Sequence, residues 1–295
     1  MSLELVKPGV NFNFIGHRYY AFAFSGALIL ISILSVFWRQ GLNLGVDFKG
    51  GLLLQIRLTE DPGAEGLRAR LANSGLDVSS IQEFGEAGGR EYLLNISGGT
   101  VKEGLSLTKG AVEALNGLFG ADKVEIRREE MVGPKVGQDL RQKALYAIYY
   151  SILLIIIYIS GRFERKWFMS ALFVGILLGA INLVALFGVG VGTLIIIALV
   201  VTLITCYLLK FSFALGGIVA LIHDVIITTG FFSILNKEIT LSFVAAILTI
   251  IGYSLNDSII VFDRIRENTQ RNRKAEFAPT INHSINETLS RTILT

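Results

Sequence analysis

Six long runs of apolar residues alternate with shorter polar segments along the chain. They cover residues 19–38, 144–160, 167–187, 193–209, 213–235 and 239–262. An α-helix needs about 20 apolar residues to cross the hydrocarbon core of a bilayer, and it satisfies its own backbone polar groups at that depth. The pattern therefore predicts six membrane-spanning helices in a multi-pass α-helical membrane protein.

The short segments between these runs differ in positive charge, which indicates how the helices are oriented. Basic residues follow the second, fourth and sixth runs, whereas residues 187–192 carry no charge and residues 236–238 carry one of each sign. Because cytoplasmic loops are enriched in Lys and Arg, we expect the N-terminus in the cytoplasm. Residues 1–39 then hold a cytoplasmic N-terminus and the first span, and residues 40–141 are expected on the extracytoplasmic side, which is the periplasm if the source is a Gram-negative bacterium.

The longest polar segment, residues 40–141, has the pattern of a small α+β domain. Strands are expected at residues 52–58, 77–84, 91–96 and 123–128, the last with one solvated face, and helices at residues 65–73 and 107–119. This β-α-β-β-α-β order is that of a ferredoxin-like domain. The expected fold class is a polytopic α-helical membrane protein with an extracytoplasmic ferredoxin-like domain.

The composition narrows the possible classes of function. Hydrophobic residues make up 52% of the 295 residues and charged residues only 17%, with a net charge of +3, whereas soluble domains have about 25% charged residues. A soluble enzyme and a nucleic-acid-binding protein are therefore disfavoured. The sequence has no phosphate-binding glycine loop, no nucleophile triad, one cysteine and no metal-ligand spacing among its three histidines. We expect no catalysis and no cofactor.

Two of the apolar runs contain acidic residues, which are costly inside a membrane and are candidates for function. In the sixth run Asp257 shares a helical stripe with Gly252 and Asn256, and in the fifth run Asp224 follows His223. A carboxylate shielded from water can exchange protons during a transport cycle, so a proton or ion path between helices is one interpretation. The alternative is that these groups only hold helices together through hydrogen bonds.

Four short motifs add information that periodicity does not. They are residues 45–51 (GVDFKGG), 217–225 (GIVALIHDV), 251–268 (IGYSLNDSIIVFDRIREN) and 289–292 (LSRT). In these segments the chain resembles the SecF family, the smaller membrane subunits of the bacterial SecD–SecF protein-export complex. The first motif resembles the one that opens the family's extracytoplasmic domain, and the third resembles the family's longest signature almost residue for residue.

The resemblance implies a subunit that works with SecD and the SecYEG channel on a translocating preprotein. Such a subunit uses the proton or sodium gradient to promote translocation, and it belongs to the same superfamily (RND) as proton-driven exporters. The resemblance assigns the intramembrane acid to Asp257 and the arginine of the following helix to Arg291. From their positions in the two apolar runs that contain acidic residues, we expect Asn256, His223 and Asp224 as further members of a proton relay. The family-motif residues are Asp47, Gly50, Gly51, Gly252, Asp263 and Arg264.

The chain departs from the family pattern in two places. Within residues 142–263, residues 167–209 are expected to form an additional helix pair, in which Gly175 and Gly179 predict close packing on a neighbouring helix. Residues 264–295 are expected as a basic cytoplasmic segment, able to bind membrane lipid, that leads into a helix beyond the last residue. Two alternatives stay open: a small-molecule exporter of the same superfamily, and a structural or sensory membrane protein.

Overall fold

The computed structural model of the protein describes residues 11–72, 74–84, 90–97, 107–272 and 274–294. Its elements are α1 (Arg18–Trp38), α2 (Val46–Lys49), β1 (Gly51–Leu58), α3 (Gly63–Leu71), β2 (Val78–Phe84), β3 (Glu91–Ser97), α4 (Leu107–Phe119), β4 (Val124–Val132), α5 (Pro134–Glu164), α6 (Trp167–Ala185), α7 (Val191–Leu208), α8 (Ser212–Ile234), α9 (Leu241–Arg271) and α10 (Phe277–Leu294). They form two compact units. The sheet unit comprises Asn43–Ala144 and Glu238–Ser242, and the helical unit comprises the rest of the described chain.

The six apolar runs are helical, as the sequence predicts. Among the described residues, the helices α1, α5, α6, α7, α8 and α9 are long and apolar enough to cross a membrane. Two are longer than their apolar runs: α5 begins at Pro134 rather than at residue 144, and α9 continues to Arg271 rather than ending at residue 262. These additional turns carry charged residues, so a search for apolar runs does not recognise them as part of the helices. On α9 one ion pair, Arg264 with Glu267 at 3.1 Å, has the three-residue spacing that stabilises a helix.

Small side chains hold α1 and α8 together in the helical unit. Gly230 of α8 lies so close to Ser32 of α1 that a β-carbon at Gly230 would overlap the serine side chain. The hydroxyls of Ser35 and Ser233 share a hydrogen bond of 3.0 Å. Membrane helices associate through close packing and interhelical hydrogen bonds of this kind, so these two helices form one packed pair.

The hairpin of α6 and α7 begins and ends at neighbouring points of the helical unit. Lys166 donates its ammonium to the carbonyl of Leu209 at 3.1 Å, and the Glu164 carboxylate accepts from the amide of Phe213 at 3.1 Å. The end of α5 and the start of α8 are therefore in direct contact across the base of the hairpin.

The prediction that Gly175 and Gly179 pack closely on a neighbouring helix is wrong for the described chain. A β-carbon at either glycine would meet no atom within 4 Å. Both glycines are exposed, because α6 is buried on its other side, at Ser170, Val174 and Leu177. A small-residue pattern permits a close approach but does not supply the facing helix.

The sheet unit confirms the ferredoxin-like order of elements. Its four strands lie in the order β2-β3-β1-β4, and all neighbours are antiparallel. Alternate residues of β1 are buried, which is typical of a sheet with one face covered by helices. The core against α3 and α4 comprises Leu52, Leu54, Ile56, Leu58, Leu67, Leu71, Ile81, Tyr92, Leu94, Ile96, Leu107, Ala111 and Leu115.

The edge strand β4 differs from the prediction in length and exposure. It extends over Val124–Val132 instead of residues 123–128, and every position except its two ends is exposed. Its length follows from β1, because β4 pairs along the whole of that strand, from Gly51 opposite Val132 to Leu58 opposite Val124. Charged side chains on both faces suit an edge strand, since they discourage pairing with a further chain.

Candidate functional site

Helix α9 carries Asp257 near its midpoint, about 24 Å along the helix axis from its first residue, Leu241. One face of the helix is buried through Phe243, Ile247 and Ile251. The opposite face is an exposed polar stripe of Thr249, Gly252, Tyr253 and Asn256. Asp257 is half-buried at the border between these two faces. The stripe predicted from the sequence therefore exists, but the other described helices of this chain do not enclose it.

The His223–Asp224 pair lies on α8, which runs antiparallel to α9. The imidazole Nδ1 of His223 and the Asp224 carboxylate are 2.8 Å apart, and each side chain is about one-third exposed. The ring pairs Phe213–Phe262 and Phe232–Phe243, with centroids 5.3 and 4.4 Å apart, set the register of the two helices. This register places Asp224 and Asp257 on adjacent helices but about 9 Å apart along the axis.

Arg291 lies on α10, which also runs antiparallel to α9. Asn268 of α9 donates to the hydroxyl of Ser284 at 3.0 Å and to the carboxylate of Glu287 at 2.8 Å. Continuing this register along both helices brings exposed Arg291 to within about 10 Å of the axial level of Asp257. The predicted acid Asp257 and the predicted arginine Arg291 therefore lie on two helices, α9 and α10, that contact each other.

The motif residues Asp263 and Arg264 connect the second half of α9 to two other helices. Arg162 of α5 donates to the Asp263 carboxylate at 2.5 Å, and Arg264 faces Glu287 of α10 at 3.6 Å. The backbone carbonyl of Arg162 also accepts from Arg266 at 3.2 Å. The sequence identified these two residues only as members of a family motif. In the structure, both make contacts between helices.

The glycine motif of residues 45–51 lies in the sheet unit, where α2, β1 and the start of α5 meet. Gly50 has φ +77, and a β-carbon there would lie 2.8 Å from the Cα of Pro134. Gly51 has φ +147, and a β-carbon there would overlap the carbonyl oxygen of Ile96. Both positions therefore require glycine, for conformation and for space. Asp47 accepts a hydrogen bond from the amide of Leu241 at 2.8 Å.

Sequence reasoning missed one set of contacts that holds α10. The side chain of Asn286 makes a paired hydrogen bond with the backbone of Phe12, accepting from its amide at 2.8 Å and donating to its carbonyl at 2.9 Å. One turn earlier, Asn282 accepts from the amide of Ile15 at 3.2 Å. The available sequence signal for this contact was the pair of asparagines four residues apart on one face of an amphipathic helix. Among the described residues, no cluster of three or more His, Cys, Asp or Glu could hold a metal ion.

Comparison with known families agrees with these features. A family model described as the C-terminal part of the protein export membrane proteins SecD and SecF matches residues 112–205 and 186–295, and a model of the SecD/SecF GG motif matches residues 36–61. The fold and the motifs thus define a protein-export membrane protein. The chain belongs to the SecD/SecF family.

Individual relatives point to the SecF subunit. The chain is 36% identical to protein translocase subunit SecF of Magnetococcus marinus over 286 residues, covering 96% of this chain and 76% of the relative. It is also 36% identical to protein translocase subunit SecF of Calditerrivibrio nitroreducens over 295 residues, covering 99% and 81%. The expected role in a Sec accessory complex is thereby confirmed, and a small-molecule exporter is not favoured.

The fold also has counterparts among solved structures. The crystal structure of SecDF from Thermus thermophilus superposes with a TM-score of 0.64 at 29% identity, covering 100% of this chain. A super-membrane-facing form of SecDF gives a TM-score of 0.54 at 29% identity. This chain spans only 32% of the length of each of those longer polypeptides.

Proposed function

We propose that this chain uses the proton or sodium gradient to promote preprotein translocation, with Asp257 as the residue that binds and releases the ion. The observation that carries the proposal is the position of Asp257, inside the apolar run of a helix long enough to cross a membrane and beside a helix that brings an arginine. An aspartate inside a membrane helix is costly, by up to about 2.5–3.5 kcal/mol at the helix centre on insertion scales. A residue with only a structural role could avoid that cost.

The exposed stripe of α9 supports SecD as the partner. In a lipid bilayer, the polar groups of Tyr253 and Asn256 would face hydrocarbon chains that offer no hydrogen bonds, which is unfavourable. A second polytopic subunit would cover them, and the solved structure that this chain matches is of SecDF, a polypeptide of which this chain covers only 32%. We further propose that the SecYEG channel and the emerging preprotein are partners of the assembled complex, and that the basic residues after α9 contact lipid headgroups.

The charge distribution supports an orientation with the N-terminus in the cytoplasm. Residues 40–141 then lie outside, residues 142–263 include five spans, and residues 264–295 lie at the cytoplasmic side. In this orientation the sheet unit meets the preprotein where it leaves the channel. The helix pair α6–α7 begins and ends on the cytoplasmic side, so it leaves the orientation of α8 and α9 unchanged.

The proposed cycle follows from charge. When Asp257 is ionised, Arg291 on the neighbouring helix attracts it; when Asp257 is protonated, that attraction is lost and the helices can shift. Each charge that crosses the membrane releases about 2.3 kcal/mol per 100 mV of potential. The His223–Asp224 pair, about 9 Å away along the axis, provides a second titratable position toward the start of α9.

The test uses the chain with its SecD partner in proteoliposomes that contain SecYEG and SecA. We expect Asp257→Asn to abolish the part of preprotein translocation that depends on the gradient and to leave the ATP-driven part intact. Asp77→Asn, the same chemical change at an exposed position of the sheet unit, serves as the control. Full gradient-dependent translocation by Asp257→Asn would contradict the proposal. Selective proton and sodium ionophores then distinguish the two ions.

A further inference from the structure

We propose that Asn43, Gly45, Asp47 and Asn95 form a socket for residues 238–241, and that Asp47 is a positioning residue that fixes the start of α9. All contacts of this socket lie within the sheet unit. This proposal rests on the proposed function in one respect, because it takes Asp257 of α9 as the carboxylate that binds and releases the ion. The formation of the socket itself does not depend on that assignment.

The first contact is a short backbone ladder. Leu44 and Ile239 form an isolated parallel bridge, in which the amide of Gly45 donates to the carbonyl of Ile239 at 2.9 Å. The amide of Ile239 donates to the carbonyl of Asn43 at 2.7 Å, and Ile239 is only 6% exposed. A β-carbon at Gly45 would lie 3.0 Å from the methyl group of Thr240. Glycine therefore avoids a tight contact with the Thr240 side chain at this point.

The second contact is a helix cap supplied from elsewhere in the sequence. The first amides of a helix have no partner within it, and Leu241 is the first residue of α9. Asp47 accepts from this amide at 2.8 Å, as a capping residue would. Its negative charge also suits the positive end of the helix dipole. The single turn of α2, with Val46 and Phe48 buried, holds the carboxylate in place.

The third contact joins the socket to the middle of the sheet. The side-chain amide of Asn95, only 4% exposed on β3, donates to the Glu238 carboxylate and, at 2.9 Å, to the hydroxyl of Ser80 on β2. The other carboxylate oxygen of Glu238 is also shielded from solvent. An aspartate at position 95 would set two carboxylates against each other in this enclosed place, which is unfavourable. Asparagine therefore matches Glu238 through its ability to donate.

The three contacts together give the glycine motif a mechanical role. They hold three positions of the chain, Glu238, Ile239 and Leu241, immediately before and at the start of α9. A helix transmits an axial or rotational displacement along its length because its backbone hydrogen bonds are continuous. Asp47 thereby sets the position from which α9 extends about 24 Å to Asp257.

The first experiment compares substitutions of Asp47 in the full chain with its SecD partner. Asp47→Ala removes the acceptor, whereas Asp47→Asn keeps a carbonyl oxygen in the same place. We expect Asp47→Ala to lower gradient-dependent translocation by about fivefold or more, and Asp47→Asn to stay within about twofold of the parent. Lys49→Ala, an exposed neighbour on the same turn, is the control. Equal activity of Asp47→Ala and Lys49→Ala would overturn the proposal.

The second experiment uses compensation, which a general loss of folding would not produce. Asn95→Asp should weaken the socket, and adding Glu238→Gln should restore it, because the side-chain amide introduced at position 238 can donate to the new carboxylate at position 95. Amide hydrogen exchange at Leu241 in nanodiscs is the readout. Faster exchange in Asn95→Asp that returns toward the parent value in the double variant supports the socket, and exchange that is the same in all three proteins rejects it.

The two proposals fail in different ways. If Asp257→Asn keeps full gradient-dependent translocation while Asp47→Ala exposes the Leu241 amide and impairs export, the socket stands and the role of Asp257 is wrong. If Asp257→Asn abolishes coupling while Asp47→Ala changes neither exchange nor export, the socket is wrong and the role of Asp257 stands.

Discussion

The guanidinium of Arg162, near the end of α5, donates to the carboxylate of Asp263 on α9 at 2.5 Å. Both side chains remain about two-fifths exposed. An ion pair with this exposure contributes little stability, about 0–1 kcal/mol. Its importance lies in its position, because it joins α9 to α5 about six turns from the socketed end of α9 and less than two turns beyond Asp257.

Reversing the charges at this ion pair tests that connection. Asp263→Arg places two guanidinium groups together, so we expect a lower midpoint of thermal unfolding and reduced export. Adding Arg162→Asp should recover most of both, because the attraction is restored with opposite polarity. Thermal unfolding in nanodiscs and a preprotein export assay give the two readouts. A double variant no better than Asp263→Arg alone would show that the pair does not act as a unit.

The close approach of α1 and α8 predicts a steric effect at one glycine. Gly230→Ala forces a β-carbon into Ser32, and overpacking of this kind typically costs about 1–3 kcal/mol. Gly179→Ala is the matched control, because its β-carbon would meet no atom within 4 Å. We expect thermal unfolding to move down for the first variant only. Combining Gly230→Ala with Ser32→Gly should restore it, and no recovery would argue against this contact as the cause.

The contacts at the base of the hairpin predict that α6 and α7 can be removed together. Replacing residues 167–208 with a short Gly-Ser linker keeps the contact between Glu164 and Phe213, since both partners lie outside the deleted segment. Removal of two spans also preserves the orientation of the following helices. We expect normal abundance and export close to that of the parent. Normal abundance with lost export would instead assign the hairpin an essential role.

Asp61 in the sheet unit predicts a dependence of stability on pH. The hydroxyl of Tyr92 donates to its carboxylate at 2.5 Å, and this hydrogen bond, with one from the amide of Gly63, holds the pKa of Asp61 below its usual 3.8. A carboxyl group whose pKa is lower in the folded state stabilises that state at every pH above its pKa in the unfolded chain. This stabilisation is lost as the pH falls through the pKa of the folded state. Burial, chiefly, raises the pKa of Tyr92 to about 12, so Tyr92 stays protonated throughout this range.

Tyr92→Phe is the variant that isolates this effect. We expect it to unfold at a lower denaturant concentration than the parent at about pH 6, with the difference shrinking as pH falls toward about 3. Unfolding of the sheet unit in the full chain, followed by amide exchange of β3, provides the measurement. A difference that stays constant over this pH range would mean that the Tyr92 hydroxyl stabilises the fold independently of the charge of Asp61, as through the hydrogen bond that it accepts from the amide of Gly63.

Much of the architecture could be predicted from local patterns. The six helices were predicted from apolar runs long enough to cross a membrane. The order of strands and helices in the sheet unit was predicted from short apolar runs separated by glycines. The bounds of α5 and α9 were less predictable, because their additional turns are polar and apolar runs do not mark where a polar helix begins or ends. Gly175 and Gly179 failed as a packing signal because a pattern within one helix contains no information about its neighbour.

The sequence by itself determined that this protein lies in a membrane, that it carries a ferredoxin-like domain, and that Asp257 is an unusual carboxylate, because hydropathy, periodicity and charge are properties of neighbouring residues. Only the tertiary structure decided what Asp47, Asn95, Asp263 and Arg264 do. Their partners, Leu241, Glu238, Arg162 and Glu287, lie between 23 and 194 positions away in the chain. Contacts at such separations arise when packed elements bring distant segments together, and no local pattern specifies which segments meet.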